Sequence, residues 1–347
     1  MYIKKIILAI AIIGLVVMAF ISYKIYDLVF ESNTDFEEEK VAVYIKSDAE
    51  YSHVREQLDT LLKDIGKFDM VAERKGYASS IRAGKYILRK GMNNNEIVNA
   101  LRSGNVPVSV TYNNQERLED LAGRIAGQIE ADSLSLITAM KDTAFLKANG
   151  FDLRNALGMY IPNKYEFFWN TSAEGFRERM LKEYKRFWNE ERLAKAEAIG
   201  LTPQEVTVVA SIVQKETAKV SERSKVAGVY LNRINNGWKL DADPTVIYAI
   251  NNKTQDFDTI IKRVLYKDLT LDSPYNTYLY GGLPPGPIFM PDISSIDAVL
   301  NFEEHDYFFF VADVENFGYH KFAETLAQHN RNKQEYVRWI NNQSIYR

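Results

Sequence analysis

Thr202-Pro203-Gln204-Glu205-Val206-Thr207-Val208-Val209-Ala210-Ser211-Ile212-Val213-Gln214-Lys215-Glu216-Thr217 carries the start signals of a helix. A threonine at the N-cap, a proline at the first helical position and a glutamate at the third form a capping box. The apolar stripe that follows includes Val209, Ile212 and Val213. Glu216 lies three residues beyond Val213 and four beyond Ile212, so the spacing predicts a carboxyl group on the inward face, at the C-terminal end of the stripe. Gln214 and Lys215 point elsewhere. Burial strips water from a carboxylate and raises its pKa, and the partial negative charge of a helix C-terminus pushes the same way. A proton held near neutral pH is what a general acid needs. The same spacing also fits an ordinary buried glutamate paired with an Arg, a Lys or a tyrosine hydroxyl.

Downstream, Ser221 is expected to cap a second helix ending at Gly237. Two loops follow, Leu240 to Tyr248 and Ser273 to Pro291, heavy in Asp, Asn, Tyr, Gly and Pro, and Tyr307 to Val311 reads as an apolar strand. Upstream, Leu118, Leu121, Ile125 and Ile129 form one helical stripe, and Leu134, Ile137 and Met140 suggest another. An aromatic break, Tyr160 to Trp169, precedes a long charged helix from Ala173 to Ile199. Its aromatics, among them Tyr165, Phe167 and Phe168, read as core rather than as a sugar-stacking platform. Val41 to Ile45, Ala83 to Leu88 and Val106 to Tyr112 read as strands. From Glu50, the residues Val54, Leu58, Leu61, Leu62 and Ile65 keep helical spacing, and Asn93 with Glu96 forms a capping box for a helix that stops at Gly104. The chain thus reads as α+β: a membrane helix over residues 1–30, a linker over 31–40, a small α+β module over 41–112, a helical region over 113–200, and a mixed helix and strand region with a cleft over 201–347.

The membrane helix rests on Ile6 to Tyr23, an uncharged and almost wholly apolar run that Ile25 to Phe30 can extend. A bilayer core needs about 20 apolar residues as a helix. Lys4 and Lys5 on the short leading side favour a cytoplasmic N-terminus, with the rest of the chain outside. A cleaved signal peptide is the alternative, but the run exceeds a usual h-region and no clean Ala-x-Ala site follows. A net charge of -3 gives no electrostatic reason to expect nucleic-acid binding. The absence of cysteine excludes disulfides and thiol chemistry, and the four histidines form no HExxH or HxH pair, so no metal or other cofactor is implied.

Several segments resemble the endolytic murein transglycosylases, the MltG/YceG-like family. They are Ala210 to Thr217, Ser221-Glu222-Arg223, Val226 to Arg233, Asp243 to Tyr248, Ser273 to Tyr278, Gly282 to Ile288, Tyr307 to Ala312, His320-Lys321-Phe322 and His329-Asn330, in family order over more than a hundred residues. The N-terminal half is similar more weakly, through its anchor and through Ala83 to Tyr86 and Asn93 to Gly104, which resemble a LysM-like module. Two departures stand out. Relatives often carry a glutamate where this chain has Gln214, which leaves Glu216 as the acid of that pair, and often an acidic residue before Gly158.

The resemblance implies cleavage of the bond between N-acetylmuramic acid and N-acetylglucosamine in peptidoglycan glycan strands without water, leaving 1,6-anhydro ends, with Glu216 giving and then taking the proton. It further implies an inner-membrane protein whose catalytic region is periplasmic, and contact with a cell-wall synthase complex. Asp243, Thr245, Tyr248, Ser273, Tyr275, Asn276, Thr277, Tyr278, Gly282, Leu283, Pro284, His320 and Asn330 are the residues expected to hold the sugar. Two rivals remain: a two-carboxylate muramidase using Asp243, since an ordinary glycoside hydrolase needs a pair, and a non-catalytic tethered wall-binding scaffold.

Overall fold

The computed structural model describes residues 2–342. Two compact units emerge, and both are discontinuous. The first takes the chain up to Val110 with Gln128–Ala131 and Tyr165–Ser172; the second takes Thr111–Gly127, Asp132–Lys164 and the chain from Ala173 onward. Periodicity along the sequence cannot reveal that short later segments return to the first unit, because the return is a matter of tertiary contact.

In the first unit, helix α1 (Tyr2–Phe30) is long and apolar enough to cross a membrane, and it buries none of its residues. Its last turns reach the folded part, where Asn94 Nδ2 donates to Leu28 O (2.8 Å) and Lys67 pairs with Asp27 (2.7 Å). Strand β1 (Lys40–Ile45), helices α2 (Tyr51–Asp59) and α3 (Ile65–Arg74), strand β2 (Gly84–Arg89), helix α4 (Asn94–Ser103) and strand β3 (Pro107–Thr111) follow. β1 and β2 pair antiparallel from Lys40↔Arg89 to Ile45↔Gly84. Val43, Ile45, Tyr86 and Leu88 point from this ribbon onto Val54, Leu58, Phe68, Val71, Ile97 and Leu101 of the helices. That alternation is what a two-residue side-chain period demands of a half-buried sheet. Asn93 and Glu96 make the expected capping box, and the chain leaves α4 at Gly104. Gly84 sits at φ 148°, where a Cβ would collide with the Asn105 amide that accepts from Lys85 N.

Residues 31–40 are not a free linker. Asn33 and Thr34 are buried; Asn33 Nδ2 donates to Asp64 O (2.8 Å) and Asn94 Oδ1 (2.7 Å), and Thr34 Oγ1 accepts from Gly91 N (2.8 Å). Polar composition misled here because these side chains satisfy buried backbone groups. The helical stripe from Val54 to Ile65 is likewise two helices. α2 ends at Asp59, and Asp64 caps α3 by accepting from Lys67 N (3.0 Å).

The second unit holds α5 (Leu118–Ala126), α6 (Ser133–Met140), α7 (Thr143–Ala148), α8 (Ala173–Phe187), α9 (Glu190–Ala198), α10 (Pro203–Glu216), α11 (Arg223–Asn235), α12 (Asp243–Thr254), α13 (Ile293–Leu300), strands β5 (Phe309–Ala312) and β6 (His320–Ala323), and α14 (Leu326–Asn342). Strand β4 (Lys164–Phe168) pairs with β3, and β5 pairs antiparallel with β6. The chain is therefore a mixed α+β protein with one apolar N-terminal helix.

Several local readings shift. The 173–199 helix breaks at buried Trp188, where Asn189 caps α9 by accepting from Arg192 N (3.0 Å). α6 buries Leu136, Ala139 and Met140, whereas Leu134 is 72% exposed, because Asp132 sets the cap and hence the helix phase. Ser221 lies in a 3-10 turn ahead of α11. The 240–248 loop becomes α12 from Asp243 onward. Asp243-Pro244 suits a first helical turn, since proline presets φ and a carboxylate meets the positive helix end. Of the aromatic break, Tyr160 and Phe167 are buried, while Phe168 is exposed.

Candidate active site

Helix α10 starts at the expected capping box: Thr202 Oγ1 accepts from Glu205 N (3.3 Å), and Glu205 Oε2 accepts from Thr202 N (2.8 Å). Every residue from Val206 to Val213 is buried, so the helix is enclosed all round rather than along one stripe. It packs against α11, α12 and α13. Glu216 is its last residue, where the helix emerges from this packing into a pocket of about 410 Å³.

Five pieces of chain wall that pocket around Glu216. α11 contributes Tyr230 and Arg233, the turn into α12 contributes Leu240, Asp241 and Asp243, and Tyr278 stands beside them. The β-ribbon contributes Phe309 and Phe310, and α14 contributes Leu326, His329, Asn330 and Lys333. Tyr230 Oη donates to Glu216 Oε1 (2.7 Å). Tyr230 is fully enclosed and its ring meets Phe310 edge-on at 6.1 Å.

Burial is the largest influence on Glu216 and pushes its pKa up; the Asp243 charge adds to the rise, while the Tyr230 hydroxyl and Arg233 oppose it. The result is a carboxyl raised from 4.5 to about 7. Glu216 keeps a little surface of its own while lining the pocket, so a proton there can reach a bound molecule. Asp243 Oδ1 accepts from Tyr278 Oη (2.7 Å), which fixes the second carboxylate. Arg233 is immobilised: Nε donates to Phe308 O (2.7 Å) and a terminal nitrogen to Leu240 O (2.6 Å), leaving Asp241 at 3.8 Å. Asp241 holds a left-handed backbone (φ 46°), unusual for a residue with a side chain. His329 stacks on Phe309 at 5.3 Å, and burial with nearby Lys333 and Arg233 holds its pKa below the usual imidazole value.

The structure thus brings Glu216, Asp243, Tyr278 and Asn330 to one pocket. It places the other expected residues elsewhere. Thr245 and Thr277 are buried and joined hydroxyl to hydroxyl (2.8 Å). Asn276 is buried and donates to Leu269 O and Leu271 O. These three shape the turn that carries Asp241 and Asp243, since Thr277 Oγ1 accepts from Ala242 N (3.0 Å). Ser273 accepts from Tyr275 N, and buried Tyr275 packs on Tyr248 at 4.7 Å, away from Glu216. Gly282, Leu283 and Pro284 do not line the pocket. Their loop is tied to α10 instead, through Ile288 N donating to Ser211 Oγ (3.2 Å). His320 lies behind the pocket wall. Its ring Nδ1 pairs with buried Glu222 (2.8 Å), and the ring meets Phe310 in an edge-on contact at 5.1 Å.

Tyr230, Arg233, Phe309, Phe310 and His329 join the site without having been singled out as its residues. The available signal was helical phase: Tyr230 and Arg233 are three apart and share one face of α11. Gln214 turns to a different network. Its amide donates to Asp292 Oδ2 (2.9 Å) and its oxygen accepts from Asp292 N (2.6 Å) and Ser295 Oγ (2.9 Å).

The sequence profile of the YceG-like family matches residues 43–335. The endolytic murein transglycosylase of Bacillus subtilis is 30% identical over 294 residues, covering 80% of this chain and 79% of that relative. The endolytic murein transglycosylase of Streptococcus pneumoniae D39 is 28% identical over 298 residues, and the match spans about half of it, 53%, against 78% of this chain. A YceG-like protein from Listeria monocytogenes, solved by crystallography at 2.6 Å, aligns with a TM-score of 0.56 at 27% identity over 85% of this chain and 99% of that one. On this match the chain belongs to the YceG-like family.

Proposed function

We propose that this protein is a membrane-anchored endolytic lytic transglycosylase that cleaves the bond between N-acetylmuramic acid and N-acetylglucosamine in peptidoglycan strands. The observation that carries the reading is Glu216, a carboxyl raised to about 7 and standing at the pocket wall. At neutral pH much of it is protonated. It gives that proton to the bridging oxygen as the C1–O bond breaks. The resulting carboxylate then takes the proton of the muramoyl C6 hydroxyl, whose oxygen closes on C1. One proton leaves Glu216 and one returns, the departing strand end gains a hydroxyl, and no water is consumed. The Tyr230 hydrogen bond stabilises the carboxylate stage, while Asp243 favours the protonated stage, so the two hold the group near balance.

The walls of the pocket form a cleft in which Asp243, Tyr278 and Asn330 hold the sugar. Asp243 beside Glu216 also suits a two-carboxylate hydrolase, and product chemistry separates the two: anhydromuramoyl ends against reducing ends. Mass spectrometry of products from purified strands, with Glu216→Gln alongside, is the test. Reducing ends, or full activity in the variant, would remove the reading.

α1 anchors the chain in the inner membrane, and Lys4 and Lys5 keep its N-terminus cytoplasmic, so the catalytic region is periplasmic. The helices α2 and α3 between the antiparallel strands β1 and β2 support a LysM-like module that binds glycan. A cell-wall synthase complex is the partner expected of such an enzyme.

A further inference from the structure

A second cavity, of about 270 Å³, lies across the ends of α10 and α12 from the reaction pocket. Neighbouring residues form the ridge between them. Lys215 lines this cavity and Glu216 the reaction pocket, while Pro244 lines this cavity and Asp243 the reaction pocket. Successive helical residues diverge by about 100°, so the two walls face different sides while remaining one residue apart. Ile247, Ile260 and Phe257 give the cavity an aliphatic and aromatic lining, and Lys215 pairs there with Glu116 (2.6 Å). A further hollow of about 340 Å³ shares Glu116, Tyr248 and Phe257 and adds Arg117, Lys141 and Arg154. Across both, four basic side chains (Lys215, Arg117, Lys141, Arg154) face two acidic ones (Glu116, Glu119). In the reaction pocket Asp241 and Asp243 stand against Arg233 and Lys333, and Glu216 is held largely protonated.

The geometry points to these joined hollows as a binding site for the acidic peptide arm of the muramoyl residue being cleaved. The assignment rests on the transglycosylase reading above. Muramic acid carries its peptide through a lactyl ether at C3, so the arm leaves the sugar ring only a few bonds from the reacting C1. A site one ridge away is within its reach. The arm is short, rich in methyl groups and bears free carboxylates. Ile247, Ile260 and Phe257 suit the methyl groups, and Arg117, Lys141 and Arg154 suit the carboxylates. All four cations hold partners, Lys215 with Glu116, Arg117 with Asp120, Lys141 with Glu119 and Arg154 with Asp152 at 2.5 Å, and the Lys141 and Arg154 side chains, 45% and 65% exposed, can exchange theirs at low cost.

The test uses the full chain in detergent micelles and two substrates, strands with intact peptide arms and the same strands stripped by an amidase. The variants are Lys141→Glu with Arg154→Glu, and Phe257→Ala. Cleavage is followed as kcat/KM, and binding is measured separately in a Glu216→Gln background. The expected result is a wild-type preference for armed strands, about a tenfold loss in the double reversal on armed strands, and no change on stripped strands, in both readouts. Matched unfolding curves confirm that the variants fold. Equal treatment of both strands by the wild type, or equal losses on both in the variants, would overturn the assignment. Failure of the wild type to cut either strand would count against the transglycosylase reading, and the binding comparison would still decide the arm site.

Discussion

Replacing Glu216 with glutamine removes the ionisable proton and keeps an oxygen for the Tyr230 hydroxyl. Moving a carboxyl from 4.5 to about 7 corresponds to roughly 3 kcal/mol between its two charge states. Because the folded pKa is the higher one, the contribution of Glu216 to stability is fully present below the unfolded pKa, near 4.5, and is lost as pH rises to about 7. Glutamine carries no such dependence. Urea unfolding of both proteins at pH 5 and pH 8.5 is therefore expected to show Glu216→Gln gaining on the wild type by roughly 2 to 3 kcal/mol between the two conditions. In parallel, cleavage of purified strands is expected to fall about 10³-fold or more, and wild-type kcat/KM to decline above pH 7 as the acid loses its proton. Identical pH dependence of stability in the two proteins would refute the claim that this carboxyl is protonated by burial. Retained cleavage would refute its role.

Tyr230→Phe removes the hydrogen bond that favours the carboxylate, so the alkaline limb of the pH–rate profile is expected to move upward, with a stability loss of about 1 kcal/mol on unfolding. Asp243→Asn removes the neighbouring negative charge. The same limb is expected to move to lower pH with anhydro products still formed, whereas a hydrolase that needs Asp243 would lose turnover altogether. Gln214→Glu sets a carboxylate against Asp292 in place of a donated hydrogen bond, and equilibrium unfolding is expected to show a loss of about 1 to 3 kcal/mol at neutral pH, recovered in acid. Thr202→Ala removes the cap of α10 and is expected to cost about 1 kcal/mol by the same measurement.

Local signals in the chain carried a long way. The capping boxes at Thr202 and Asn93, the three- and four-residue spacing that put Glu216 inward, and the alternation in β1 and β2 all depend on neighbours within one or two turns, and each is present in the structure. Such signals failed where a cap reset the phase, as at Asp132 in α6, or where one period ran through two helices, as at Asp64 and Asn189.

From sequence alone came the helix that carries Glu216, the side on which that residue sits, and the apolar N-terminal helix. Tertiary structure alone decided which of the polar loop residues meet it. Asp243 and Tyr278 reach the pocket, whereas Thr245, Asn276 and Thr277, a few positions away, turn inward to satisfy buried backbone and hydroxyl groups. Tyr230, Arg233, Phe309 and His329 arrive from three other elements. Helical periodicity records which face of a helix is buried, because that repeats along the chain. Which distant residue faces it is set by packing between elements, and no local repeat encodes that.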